Sequence, residues 1–354
     1  MTATPRYVIV LLLLSCNLLL AQSKKEVAAR RKAAEAVELT DHGQYDASIK
    51  LLEEAIALDP DNNGYPYEMG YAYYLAQNYQ KSIEILAQLV HGKTVPDYVY
   101  QLLGNSYNLN EQPDKAITTY HAGLIKNPKS GRLYSELGNI YEQKEDYSKA
   151  ISFYEQGIYV DPRYPYSYYH LSRLFLSSEE KVWGMIYGEL FMNLEKHTHR
   201  TNQMSKLLYD AYKSQIHFTS DTSVTVSFSR DPVNPGQEKT VVPFGQIYEK
   251  TLMMSMGNEK VIDLNSLDRI RTAFVKNYFA NKSDKKYPNI LFSYQNRLLK
   301  EGSLEAYNHW LFMQGDPEAF TRWKTDNEEK WKEFMTYSFF GWIGIDENNK
   351  FQRN

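Results

Sequence analysis

Large residues and glycines repeat at fixed positions along the first half of the chain. In residues 100–107, tyrosine, leucine and tyrosine stand at i, i+3 and i+7 with glycine at i+4, so they lie on one face of a helix. The same pattern returns 34 residues later, in 134–141. Gly70, Gly104 and Gly138 are also 34 residues apart. A period of this length indicates repeated supersecondary units.

Each repeated unit is predicted to be two helices joined by a short turn. A second helical stretch begins with Lys-Ala-Ile at 115–117 and again at 149–151. Pro128 and Pro162 close the two units, because the residue before a proline is pushed out of the α region. The regular succession of helices and turns predicts a mainly α fold.

These features resemble the tetratricopeptide repeat, a helix–turn–helix unit with small residues at its eighth, twentieth and twenty-seventh positions. Small residues hold the eighth and twentieth positions of all five units, at Ala36, Gly70, Gly104, Gly138 and Ser172 and at Ser48, Ser82, Ala116, Ala150 and Gly184. Leu89 and Phe191 depart from the family pattern at the twenty-seventh position. The resemblance implies an α-solenoid of about five helical hairpins in residues 23–196, followed by a capping helix and linker in 197–217.

Residues 218–354 are predicted to form a mostly helical C-terminal domain with one β-hairpin, and they resemble no characterised family. Val224, Val226 and Phe228 alternate with polar residues, which is typical of a strand. Thr240–Val242 is the predicted return strand of the hairpin.

Helical spacing returns after the predicted hairpin. Helices are predicted over residues 244–256, 267–279, 288–300, 304–314 and 328–340. Asn265 or Ser266 is predicted to begin the second of these helices. Asp316–Pro317 is predicted to begin a further helix, and Asp326 with Glu329 to form a capping box before the last one.

Residues 1–22 have the features of a secretory signal peptide. Arg6 supplies a positive charge, residues 7–21 are almost wholly apolar, and a charged run follows at 23–26. The apolar stretch is shorter than the roughly 20 residues that a membrane-spanning helix needs. We therefore expect cleavage at the end of this segment and a mature chain that begins near Gln22.

Lipidation is the alternative outcome for the same segment. Leu13–Cys16 resembles the lipobox of bacterial lipoproteins, in which the cysteine is lipidated and becomes the mature N-terminus. The apolar run continues past Cys16 through Leu18–Leu20, which argues against this alternative. Both outcomes predict export to the periplasm or outer envelope of a Gram-negative bacterium, with membrane attachment only if Cys16 is lipidated.

Composition restricts the partners and the chemistry. The formal net charge is −3, with 40 Lys and Arg against 43 Asp and Glu, so there is no basic excess to favour nucleic acid. Cys16 is the single cysteine, and a chain cleaved after it has neither a disulfide nor a thiol nucleophile. No cofactor and no metal site are predicted.

The resemblance also implies a binding surface, because the first helix of each tetratricopeptide unit lines a concave groove. The groove positions carried over to this chain are Tyr67, Tyr71, Tyr74, Tyr98, Asn105, Arg132, Asn139, Tyr166, Tyr169 and Arg173. The asparagine amides have donors and an acceptor for a peptide backbone, and the tyrosines provide amphipathic contacts. The alternative is that the asparagines bond within the helix array and the tyrosines serve its packing.

Three functions follow from these features. The first is an exported scaffold or adaptor that binds a protein or an extended peptide segment in its groove and is not an enzyme. The second is a lipid-anchored envelope-assembly factor, and the third is an enzyme with an unrecognised active site in 218–354. That region contains no nucleophile elbow, metal-binding helix or phosphate loop. Its best acid–base pair, His309 with Glu305, lies among aromatic residues that predict a core position.

Overall fold

The structure is a computed structural model that describes residues 6–220, 223–230, 243–340 and 343–353. Its contacts divide the chain into two compact units, which meet in sequence between Ile140 and Tyr141. Within the described residues there are eighteen helices and one two-stranded hairpin, which confirms the mainly α fold. None of the described helices combines the length and the apolar character needed to cross a membrane.

The first unit consists of helices that pack in successive pairs. They are α1 (Arg6–Asp41), α2 (Tyr45–Leu58), α3 (Gly64–Leu75), α4 (Tyr79–Leu89), α5 (Asp97–Leu109) and α6 (Pro113–Lys126), and α7 (Gly131–Gln143) crosses into the second unit. Small side chains set the distance between paired helices. Ala29, Ala33 and Ala36 of α1 are buried with Leu52 and Ala55 of α2 in one apolar cluster.

The turns inside the repeat hairpins share one backbone feature. Gly43, Gln77, Glu111 and Glu145 recur every 34 residues, and each has a positive φ, of 74°, 59°, 60° and 59° in that order. The left-handed conformation reverses the chain between the two helices of a unit, and glycine adopts it without steric cost. The turn is therefore part of the repeat even where the residue is not glycine.

The second unit contains the last repeat helices and all of the C-terminal region. Its elements are α8 (Tyr147–Val160), α9 (Pro165–Leu176), α10 (Lys181–Leu194), α11 (His199–Gln215), β1 (Ile216–Ser220), β2 (Ser223–Val226), α12 (Phe244–Met254), α13 (Leu264–Ala280), α14 (Ser283–Lys286), α15 (Ile290–Lys300), α16 (Leu304–Leu311), α17 (Pro317–Asp326) and α18 (Glu328–Phe340). As predicted, α11 covers the last hairpin by packing on α10.

The β-hairpin is present, but its pairing differs from the prediction. Ser223–Val226 pairs antiparallel with Ile216–Ser220, which precedes it, and Ile216 is opposite Val226. The predicted return strand at Thr240–Val242 lies outside the described residues. The earlier strand was missed because it directly follows α11 and only two apolar residues, Ile216 and Phe218, alternate with polar residues in it.

One predicted helix start, that of α13, was wrong, and so was the predicted capping box of α18, whose start at Glu328 agrees with the prediction. Asp263, rather than Asn265 or Ser266, caps α13, because its carboxylate accepts a hydrogen bond from the Ser266 amide at 2.7 Å in a capping box. Asp326 is the last residue of α17 and does not cap α18. The predicted start of α17 is confirmed, since the Asp316 carboxylate accepts a hydrogen bond from the Ala319 amide at 2.9 Å.

A buried ion pair connects the last repeat helix to the C-terminal helices. Glu189 on α10 accepts hydrogen bonds from Arg271 on α13 at 2.6 Å, from Gln295 on α15 at 2.6 Å and from Tyr307 on α16 at 2.8 Å. Burial alone would lower the pKa of Arg271, but the Glu189 carboxylate raises it above its usual value. The last hairpin and the C-terminal helices therefore share one core.

Candidate peptide-binding groove

Asn105, at the ninth position of the third repeat, is bonded inside its own hairpin. Its Oδ1 accepts a hydrogen bond from the phenol of Tyr120, a buried residue of α6. The bond connects the two helices of one unit, because Asn105 lies on α5. This bond agrees with the alternative that the asparagines bond within the helix array. A role for Asn105 in peptide binding stays a prediction.

Arg132 and Asn139 belong to a continuous chain of hydrogen bonds between α5 and α7. Arg132 Nη1 donates to Gln101 Oε1 at 2.8 Å, and Gln101 Nε2 donates to Glu136 Oε1 at 2.5 Å. The other oxygen of Glu136 accepts a hydrogen bond from Asn139 Nδ2 at 2.9 Å. The chain of bonds holds these polar side chains in defined positions, so a ligand would meet an ordered polar surface rather than mobile side chains.

Four predicted groove tyrosines of the first unit pack against one another in two pairs, and one of them is exposed. Tyr67 on α3 contacts Tyr98 on α5 edge to face, with 4.8 Å between ring centroids, and Tyr71 stacks on Tyr74 at 6.5 Å. Burial raises the pKa of the Tyr67 phenol to about 12. Tyr98 is 41% exposed. Tyr98 is therefore the one of these four rings that offers most of its surface to a partner.

In the second unit, the predicted groove residues of α9 lie beside a cation of the same chain. The guanidinium of Arg200 is 5.4 Å from the ring centroid of Tyr166, 5.5 Å from that of Tyr169 and 5.7 Å from that of Phe191. The guanidinium of Arg173, an exposed residue, also lies near the Tyr169 ring, 5.7 Å from its centroid. The aromatic rings thus orient two guanidinium groups by cation–π contacts.

A carboxylate–histidine pair that was not predicted lies next to these tyrosines. His170 Nδ1 is 2.9 Å from Glu142 Oε2, and the Tyr154 phenol donates to the same oxygen at 2.7 Å. The imidazole of His170 stacks between Tyr154 and Tyr166, at 5.1 Å and 4.6 Å. Burial alone would raise the pKa of Glu142, but the hydrogen bonds from His170 and Tyr154 lower it. Glu142 therefore stays ionised at neutral pH.

An open cavity of about 860 Å³ in the second unit includes one of the predicted groove positions, Arg173. Its lining is mainly apolar, with one carboxylate and one guanidinium, and consists of Glu142, Tyr147, Ile151, Arg173, Leu174, Phe175, Leu176, Ser177, Ser178 and Leu207. Arg173 was a predicted binding residue, whereas Tyr147 and Leu207 were not. What marks these two residues is that a large apolar side chain is exposed, 51% for Tyr147 and 37% for Leu207. The sequence does not show this exposure.

Both residues of the predicted acid–base pair in the C-terminal region have other partners. His309 is buried, its Nδ1 is 2.9 Å from the main-chain oxygen of Glu305, and its ring stacks on Trp323 at 4.1 Å. The Glu305 carboxylate accepts hydrogen bonds from Trp323 and Lys330. Among the residues that the structure describes, no group of three His, Cys, Asp or Glu side chains could hold a metal ion.

Two family models for the tetratricopeptide repeat match the chain, over residues 39–105 and over residues 131–164. The chain contains tetratricopeptide repeats in these two stretches. Domains of this kind generally bind proteins or peptides, so the tetratricopeptide repeats support an interaction scaffold. The comparison with curated proteins gives no match.

Solved structures with partial similarity include a tetratricopeptide-repeat protein. A thermophilic one from Thermus thermophilus is 18% identical, with 51% of this chain and 99% of that chain covered and a TM-score of 0.44. PilF of Pseudomonas aeruginosa is 13% identical, with 54% of this chain and 86% of that chain covered and a TM-score of 0.45. MamA from Desulfovibrio magneticus RS-1 is 18% identical, with 47% of this chain and 93% of that chain covered and a TM-score of 0.36.

Proposed function

We propose that this tetratricopeptide-repeat protein is an adaptor that binds an extended segment of another protein, with the apolar cavity of the second unit as its anchor point. The observation that carries the proposal is the lining of that cavity. Arg173, Leu176 and Leu207 contribute a cation and two apolar side chains to a space of about 860 Å³. This volume lies within the usual range of ligand pockets, roughly 300–1,000 Å³.

The lining indicates the chemistry of the bound segment. Leu174, Leu176 and Leu207 would bury an apolar side chain, while Arg173 would pair with a nearby acidic group. The ionised Glu142 on the same wall disfavours a second acid there. The preferred segment therefore has one large apolar residue with a carboxylate on the side that faces Arg173.

Site-specific crosslinking can identify this segment and test its position. A photoreactive amino acid at Leu207 should capture the partner, whereas the same amino acid at Val261 should not. Val261 is a suitable control because it is an exposed apolar residue of the same unit, 60% exposed, and does not line the cavity. Equal capture of one partner from both positions would contradict the proposal.

The captured segment, made as a synthetic peptide, then permits a measurement of affinity. Leu207→Asp should weaken binding at least tenfold, or about 1.4 kcal/mol, because it places a charge in the apolar part of the cavity. Val261→Asp is the matched control and should leave the affinity unchanged. An unchanged affinity in the folded Leu207→Asp protein would show that the cavity is not the anchor.

We also propose that the protein acts in the periplasm or outer envelope after removal of residues 1–22. The support is the apolar run of residues 7–21 between Arg6 and the charges at 23–26. Among the side chains of α1 that the structure describes, the buried ones that pack on α2 begin at Ala29, so cleavage near Gln22 is compatible with this packing. Intact-mass measurement on the exported protein tests the proposal. A chain that starts at Gln22 or Ser23 supports it, and a diacylglyceryl-modified Cys16 establishes the lipid-anchored alternative.

A further inference from the structure

The segment 350–353 lies across helices α8 and α10 of the second unit, outside the cavity described above. Phe351 is its buried residue, with 5% of its surface exposed. The Phe351 ring contacts Tyr187 edge to face, with 5.3 Å between centroids, and lies 6.4 Å from Trp183. One aromatic side chain therefore anchors this short segment in an aromatic recess of α10.

Two cations on either side of Phe351 have their own contacts. Lys350 Nζ donates to the main-chain oxygen of Tyr159 at 2.8 Å and lies 3.7 Å above the ring of the same residue. Arg353 Nε donates to Glu155 Oε1 at 2.8 Å, and its guanidinium lies 4.8 Å from the Phe175 ring. Three of the four side chains of the segment, those of Lys350, Phe351 and Arg353, thus have complementary partners on the repeat helices.

The receiving surface also has a hydrogen bond of its own. Tyr187 donates a hydrogen bond to Glu155 Oε1 at 2.9 Å, which holds the carboxylate in the place where Arg353 meets it. Burial alone would lower the pKa of Arg353, but the hydrogen bond with Glu155 raises it. A cavity of about 300 Å³ remains beside the segment, lined by Glu155, Tyr159, Tyr187 and Phe351 among others. The segment does not fill the recess that it occupies.

We propose that this recess, formed by Glu155, Tyr159, Phe175, Trp183 and Tyr187, is a second peptide-binding site, which we term the strap groove. Its ligand is a segment with the order basic, aromatic, any residue, basic. In this chain Lys350-Phe351-Gln352-Arg353 has that order and occupies the strap groove as an intramolecular competitor. The unfilled space permits a partner segment with a larger central side chain.

Competition between the two segments provides the test. The probe is a fluorescein-labelled peptide with the sequence of residues 346–353. It should bind a variant that ends at Asn349 at least ten times more tightly than it binds the full chain, because the full chain holds its own segment in place. Fluorescence anisotropy measures both affinities, and circular dichroism with a thermal melt establishes that the variant is folded.

A charge reversal distinguishes specific from non-specific peptide binding. A peptide with Phe351→Ala and Arg353→Glu should lose binding to the shortened variant. In the shortened variant with Glu155→Lys, a peptide carrying Arg353→Glu alone should bind better than the unaltered peptide. If the shortened variant unfolds, the full chain with Phe351→Ala and Arg353→Glu replaces it in the same comparisons.

The proposal is overturned if the folded variant binds the peptide no better than the full chain does. It is also overturned if the altered and unaltered peptides bind equally well. Failure here does not affect the proposed adaptor function, because Leu207 and Val261 probe a different surface, and neither residue lines the strap groove.

Discussion

The ring of Tyr120 lies directly against the α-carbon of Gly104, so that a methyl group added at Gly104 would come within 2.0 Å of Tyr120 Cε1. Both residues belong to the third hairpin, and Tyr120 is buried. The small eighth position of the repeat is therefore a steric requirement here, since a real side-chain atom does not approach another so closely.

Gly104→Ala should destabilise the first unit by about 1–3 kcal/mol, because the overpacked ring or helix must shift. Chemical denaturation followed by circular dichroism measures the change. Gly64→Ala is the control, since its added methyl would meet only the side-chain oxygen of Asn62, at 3.1 Å near the helix start. Equal effects of the two substitutions would show that contact with Tyr120 is not the cause.

Substitutions at two of the left-handed turn residues should have unequal effects on stability. Gly43→Ala should lower the free energy of unfolding by about 1 kcal/mol, because an L-residue at φ of 74° is strained. Glu111→Gly should not be destabilising to the same degree, since glycine relieves strain at φ of 60°. A thermal melt of each variant checks the pair, and a larger loss for Glu111→Gly than for Gly43→Ala would contradict the shared turn geometry.

The buried Glu189–Arg271 pair should be sensitive to loss of one partner. Arg271→Met leaves the Glu189 carboxylate buried without its cation and should cost about 3–5 kcal/mol of stability. Asp210→Ala, which breaks the exposed pair with Lys206, should cost less than about 0.5 kcal/mol. Urea denaturation of the full chain gives both values. A loss for Arg271→Met as small as that for Asp210→Ala would contradict a stabilising role of the buried pair.

Glu142 should contribute a pH-dependent part of the stability. Its pKa is lower in the folded chain than its ordinary value, so its contribution is present above the pKa of the unfolded chain. The contribution is lost as the pH falls through the folded value. Urea denaturation of the wild type and of Glu142→Gln should therefore differ at pH 7 and converge under acidic conditions. If the difference in stability between the two proteins did not depend on pH, the ionised carboxylate of Glu142 would not be its source.

The paired substitution Asn105→Ala with Asn139→Ala separates binding from structure. If these amides contact the partner segment, the double variant should lose about 1–3 kcal/mol of binding free energy. Because Asn105 bonds Tyr120 and Asn139 bonds Glu136, each single variant must first be compared in thermal stability with the wild type. Unchanged affinity with reduced stability would assign both amides to the repeat rather than to the groove.

The sequence by itself determined the repeat. Helix formation, small residues at helix contacts and left-handed turns act within a few residues, so they recur with the 34-residue period and are visible at Gly70, Gly104 and Gly138. The start of α17 at Asp316 was predicted for the same local reason. Helix ends predicted in the C-terminal region agree with the structure to within three residues.

Contacts between distant residues were decided only by the tertiary structure. Glu189 and Arg271 are 82 positions apart, and Glu155 and Arg353 are 198 apart, so no local pattern announces either pair. The strand Ile216–Ser220 is too short for a clear local signal, and Ser223–Val226 supplies its hydrogen-bonding partners. The cavity beside Arg173 likewise requires Leu207 from α11. Backbone propensity is local, whereas side-chain partners are chosen by packing, which depends on the whole folded unit.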